Sequence, residues 1–115
     1  MRATNAPASR ERRRRRLAPA KGFYGARSKL FRTATEAVDR AMRLSTEHRK
    51  LRKREFRQLW IARINAAVRA EGISYSKFIA GLAKAGVALN RKMLSEIAIQ
   101  DPAGFKTIVE IAKNA

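Results

Sequence analysis

Residues 49–69 read RKLRKREFRQLWIARINAAVR, and this stretch decides the fold. Its first nine residues carry Arg49, Lys50, Arg52, Lys53, Arg54 and Arg57 against a single acid, Glu55. Its second half carries Phe56, Trp60, Ile64, Ala67 and Val68 at i, i+4, i+8, i+11 and i+12, the spacing of one helical face. No Pro or Gly interrupts it, and Arg, Lys, Leu, Ala and Gln are good helix formers. The reading is one continuous helix, cationic at one end and core-forming at the other. The stripe from Phe56 to Val68, Trp60 included, is expected to pack a core.

Working outward, the charge is lopsided. The 115-residue chain has a net charge of +18, from 27 Lys and Arg against nine Asp and Glu. Residues 1–72 hold 21 of the basic and six of the acidic side chains, a net +15, and residues 73–115 a net +3. Such an excess points to a polyanionic partner. The length suits one domain. No cysteine is present, which excludes disulfides and Cys-ligated zinc. No apolar run approaches the roughly 20 residues of a membrane span. No apolar segment follows the basic N-terminus as in a secretory signal, so a cytoplasmic protein is expected.

Upstream, residues 1–10 are small, polar and Pro-containing, and an extended arm is expected. Ser9 is a possible cap for a short helix from Arg10 through Arg12, Arg13, Arg14, Arg15 and Arg16, ending before Pro19. Next comes a joint, Lys21-Gly22-Phe23-Tyr24-Gly25-Ala26-Arg27. Basic residues interleaved with aromatics suit RNA, cations taking phosphates and rings stacking on bases or sugars. The competing reading is that Phe23 and Tyr24 simply pack the joint. From about Ser28 the helical pattern resumes and runs to Glu71, which at 1.5 Å per residue spans roughly 60 Å. Leu30, Ala34, Ala37, Val38, Ala41 and Leu44 mark one narrow face, with Arg27, Lys29, Arg32, Arg40 and Arg43 around the rest.

Downstream, Gly72 is expected to close the long helix as its C′ residue. Three short helices follow. Ser74 or Ser76 caps the first, which carries Tyr75, Phe78, Ile79 and Leu82 and closes at Gly86. Asn90 caps the second, with Leu89 stapled to Leu94. Asp101-Pro102 opens the third, which carries Phe105, Ile108, Val109 and Ala112. Their stripes are expected to bury against the Phe56–Val68 face. The fold class is thus all-α: a long basic N-terminal helical extension followed by a small helical cluster. The domain reading is a basic arm at 1–25, a long basic helix at 26–72 whose part from 56 is shared with the core, and a C-terminal domain at 73–115.

No catalytic constellation emerges. The acids Glu11, Glu36, Asp39, Glu47, Glu55 and Glu71 are scattered among arginines, where i,i+3 and i,i+4 pairing limits self-repulsion. His48, the only histidine, has no partner ligands for a metal. There is no P-loop and no Gly-rich dinucleotide turn. No cofactor, metal or small-molecule substrate is expected. Asn65 either bonds to another helix or touches RNA. Arg91 and Lys92 fall in the first turn after Asn90, where the helix dipole disfavours cations. They are either solvated or, with the free N–H groups and Lys77 and Lys84, part of a phosphate site.

Four blocks together, KGFYGARSK from Lys21, RKREFRQLWIARINAAVR from Arg52, GISYSKFIAGL from Gly72 and LNRKMLSEIA from Leu89, resemble the L-twenty family of bacterial large-subunit ribosomal proteins. The resemblance covers residues 21 to about 115. The first 20 residues fit it loosely, Pro7 and Pro19 interrupting the family's basic stretch. It implies direct binding of large-subunit rRNA, a need early in subunit assembly, neighbouring large-subunit proteins as partners, and in some relatives repression of their own mRNA. The expected RNA-binding residues are Arg10, Arg12–Arg16, Lys21, Phe23, Tyr24, Arg27, Lys29, Arg32, Arg49, Lys50, Arg52, Lys53, Arg54, Arg57, Arg63, Lys77, Arg91 and Lys92. A DNA-binding nucleoid or regulatory protein is the rival. It would need a base-reading recognition helix, and Ser76–Ala85 is too apolar for that. A membrane-active basic helix would need a broad apolar face that the N-terminal half lacks.

Overall fold

A computed structural model describes residues 4–115. The elements are helix α1 (Ala6–Leu17), 3₁₀ turns at Ala18–Ala20 and Gly25–Ser28, α2 (Phe31–Ala70), α3 (Tyr75–Lys84), α4 (Arg91–Gln100) and α5 (Pro102–Asn114). No strand occurs among the described residues, in keeping with the all-α reading. The chain divides into two compact units, one ending at Lys50 and the other spanning Leu51–Ala115, and α2 contributes to both.

In the first unit, the extended arm expected for residues 1–10 is overturned from Ala6 onward, and residues 1–3 lie outside the described part. Helix α1 begins four residues before Arg10, with Pro7 in its first turn, where its missing N–H costs no hydrogen bond. Asn5, not Ser9, sits at the N-cap, and it makes no side-chain capping bond. Ser9 Oγ instead accepts from the Arg12 guanidinium at 3.3 Å. The helix ends ahead of Pro19, as expected. Helix α2 starts at Phe31 and not Ser28, because Gly25–Ser28 winds as a 3₁₀ turn held by Ser28 Oγ donating to the Gly25 carbonyl at 3.0 Å.

Only the middle of the narrow Ala-lined face is covered, Leu30, Ala41 and Leu44 being exposed. Ala34 and Val38 are buried with Ala20, and Leu17 and Phe23 pack against them. Arg16 donates to both carboxylate oxygens of Asp39, at 3.1 and 3.3 Å, tying α1 to α2 beside this small core.

The second unit has the main core: Ile64, Val68, Phe78, Leu82, Leu94, Phe105, Val109 and Ala112 are buried together. The long helix contributes less than the sequence suggested. Ile64 and Val68 are fully buried, whereas Trp60 is half-buried outside this cluster and Phe56 is 43% exposed. The expectation that Trp60 belongs to the core is therefore corrected. Helices α3 and α4 have ten residues each, about 15 Å, and the core they form reaches back along α2 only to Ile64.

The ends of the helices follow their sequence signals. Gly72, at φ 77°, donates to the Arg69 carbonyl at 3.0 Å while Ile73 donates to the Val68 carbonyl at 3.2 Å. This is the Schellman pattern, and it returns Ile73 to the core beside Val68. Gly86 and Val87 close α3 in the same way onto Ala83 and Leu82. The Met93 N–H donates to Asn90 Oδ1 at 2.9 Å, and the Gly104 N–H to Asp101 Oδ1 at 3.0 Å. Ser74 occupies the N-cap of α3 without a side-chain bond. Lys113 Nζ donates to the Glu71 carbonyl at 2.7 Å, fastening the end of α5 to the chain just past α2.

Candidate nucleic-acid interface

In the first unit, helix α1 presents Arg10, Arg12, Arg13, Arg14, Arg15 and Arg16 on its exposed surface. Five neighbouring guanidinium groups repel, and three are partly neutralised within the chain. Glu11 takes Arg14 at 3.7 Å and Arg15 at 3.4 Å, and Asp39 takes Arg16. These pairs are solvent-exposed, so each contributes little to stability and yields readily to a phosphate. Arg10, Arg13, Arg14 and Lys21 line one open depression of about 560 Å³ floored by Leu17 and Ala18. Four of its lining residues are cations, one of them, Arg14, already paired with Glu11 at 3.7 Å.

The joint after α1 separates its two rings. Phe23 is half-buried against Ala20, Ala34 and Val38, which is the packing alternative. Tyr24 is 96% exposed, held between Gly22 and Gly25, both at positive φ. The joint thus uses one aromatic as an anchor and offers the other to solvent. Lys21, Arg27, Lys29 and Arg32 around it are exposed. Phe23, Arg27, Glu36 and Arg40 line a groove of about 630 Å³ along the start of α2.

Along α2 every residue from Ala41 to Leu59 is exposed. Arg49 is steadied by Ser45 Oγ at 2.8 Å and Thr46 Oγ1 at 3.2 Å, and Arg43 by Glu47 at 3.2 Å. Lys50 is exposed nearby. In the second unit, Arg52, Lys53, Arg54, Arg57 and Arg63 are exposed on the same helix. The Arg52 guanidinium lies over the Phe56 ring, 5.6 Å from its centroid. Asn65 Oδ1 accepts from Arg69, one turn on in the same helix, at 3.2 Å, and not from another helix.

At the start of α4 the two cations part. Arg91 Nε donates to the Tyr75 hydroxyl at 2.8 Å and is half-buried, so it braces the first turn of α4 against that of α3. Lys77 and Lys92 stay exposed on those turns. Lys84 sits seven residues beyond Lys77 on α3, about 10 Å along the axis.

The arrangement is a set of solvated cations on helices, with the exposed rings of Tyr24 and Phe56 among them. Among the described residues, no group of His, Asp and Glu is placed to hold a metal ion, and no helix is long and apolar enough to cross a membrane. Sequence reasoning missed that Phe56 is exposed and Trp60 only half-buried outside the core, because their spacing is that of the core stripe. Only the reach of the short helices distinguishes the two.

The chain matches the model of the family described as Ribosomal protein L20 over residues 2–108. It belongs to that family. The chain is 60% identical over 112 residues to the large ribosomal subunit protein bL20 of Clostridium acetobutylicum, covering 97% of this chain and 92% of that protein. It is 57% identical over 105 residues to the protein of the same description from Clostridium botulinum strain Hall, covering 91% and 88%. The strain Langeland protein matches to the same extent. Membership in a ribosomal protein family makes the chain a structural component and not an enzyme.

Proposed function

We propose that this chain is a constituent of the large ribosomal subunit in the cytoplasm, binds large-subunit rRNA directly, and is needed early in subunit assembly. The observation that carries the reading is the run of exposed cations along α1 and α2, with no buried residue on α2 between Ala41 and Leu59. The mechanism is electrostatic and geometric. Lys and Arg displace counterions from crowded phosphates. A helix then fixes the spacing of RNA segments that would otherwise repel one another. Readout is of RNA shape, since A-form duplexes hide their base edges in a narrow groove. The working parts are the arm at 1–25, the basic helix at 26–72 and the C-terminal domain at 73–115. Neighbouring large-subunit proteins are the other partners. Repression of its own message, through an mRNA folded like the rRNA site, is part of the same proposal.

The test is reconstitution of large subunits from rRNA and proteins with this chain omitted. The expected result is an early assembly arrest relieved by adding the chain, together with co-sedimentation of the chain with subunits washed in high salt. Normal assembly without it, or its loss from subunits on washing, contradicts the reading.

A further inference from the structure

In the second unit, Arg52, Phe56 and Trp60 follow one another at i, i+4 and i+8 on α2 and form a row along the helix. The guanidinium covers the Phe56 ring at 5.6 Å, and the Phe56 and Trp60 centroids lie 6.2 Å apart with the rings tilted by 42°. Neither ring belongs to the core cluster, and Phe56 is 43% exposed. Leaving Phe56 exposed and Trp60 only half-buried forgoes part of the burial that usually justifies such rings. A partner that covers them would restore it.

The charges around the row define that partner. At about 100° per residue, Lys53 and Arg63 fall within about 60° of Phe56 on the helix, while Glu55, the acid of this stretch, is turned about 100° away. A ligand seated on the rings is therefore ringed by cations and meets no carboxylate on that face. That selects against an acid-poor protein surface and for a phosphate chain carrying flat apolar groups. Duplex RNA does not fit, because its bases are already stacked inside. An unpaired nucleotide does: its base stacks on an aromatic or Arg plane and its phosphates reach the neighbouring cations.

We infer that Trp60, with Phe56 and Arg52, is a stacking platform for an unpaired nucleotide of RNA. The inference rests on the RNA-binding reading above and adds to it a recognition element for a bulge or loop, where the cations alone read only shape and phosphate.

Trp60 is the chain's single tryptophan, so its emission reports on this site alone. The full-length chain is titrated with two RNA hairpins of equal length, one fully paired and one carrying a bulged adenosine. Affinity is read by anisotropy of the labelled RNA, and stacking by quenching of Trp60. The bulged hairpin is expected to quench the emission strongly and the paired hairpin weakly. Trp60→Leu should lose about ten-fold in affinity for the bulged hairpin and little for the paired one. Phe56→Leu, at an exposed position, should show the same selective loss, and Trp60→Tyr should keep most of the preference. If both hairpins bind and give equal emission, or if both Leu variants bind the bulged hairpin like the parent chain, the platform is wrong and the general RNA reading stands. If neither hairpin binds the parent chain, both fall together.

Discussion

Gly81 on α3 lies directly against the backbone of Ala112 on α5: a Cβ at Gly81 would meet the Ala112 carbonyl oxygen and stand 2.8 Å from the carbonyl carbon and 3.0 Å from the Cα. Both residues are buried. The two helices approach this closely because position 81 has no side chain, and Phe78 and Phe105, 5.7 Å apart between centroids, pack beside the crossing.

Gly81→Ala therefore sets two effects against each other. Ala gains about 1 kcal/mol over Gly in a helix interior. Forcing a methyl into the backbone of a packed neighbour costs about 1–3 kcal/mol. The obstacle is backbone and not a flexible side chain, so the clash is expected to win. Urea unfolding of the full chain should show a lower midpoint. A raised midpoint would mean the helices are not in contact there.

The joint separates packing from binding in two adjacent residues. Phe23→Ala removes the ring covering Ala34 and Val38 and is expected to reduce helicity by circular dichroism. Tyr24→Ala touches an almost wholly exposed ring and should leave the spectrum unchanged while weakening rRNA binding by about five-fold or more, the value of one stacked base. Equal effects of the two substitutions on helicity would contradict this division.

Order in the RNA-free chain should track burial. From Ala41 to Leu59 no side chain is buried, and like charges recur at i+3 and i+4. Packing, more than propensity, holds helices in water. Amide hydrogen exchange at moderate salt is expected to show weak protection there and strong protection at Ile64, Val68, Phe78, Leu94 and Val109. RNA should raise protection in the cationic segment by removing the repulsion. Equal protection along both segments without RNA would mean that α2 is stable by its own propensity.

Most of the second unit was legible in the sequence because its signals are local. Gly72 and Gly86 as closures and Asn90 and Asp101 as caps each depend on a few neighbouring residues, and all four hold. The errors came where the outcome depended on distant partners. Pro7 suggested an extended arm, but a proline in the first turn of a helix forfeits nothing, and Leu17 gives the segment something to pack. Phe56 and Trp60 continue the apolar spacing of Ile64 and Val68, and only the reach of three short helices leaves them outside the core. For Phe23 and Tyr24 the sequence allowed packing or exposure for both, and the turn of the chain between Gly22 and Gly25 gave one role to each.

The central claim is that cations on α1 and α2 hold RNA by displacing counterions, and the salt dependence of affinity for large-subunit rRNA measures it most directly. Residues 1–72 offer 21 basic side chains, of which about ten or more are expected to meet phosphates. The logarithm of the binding constant should then fall against the logarithm of salt concentration with a slope of about −7 or steeper, at −0.7 to −0.9 per phosphate. A slope shallower than about −3 would contradict the account.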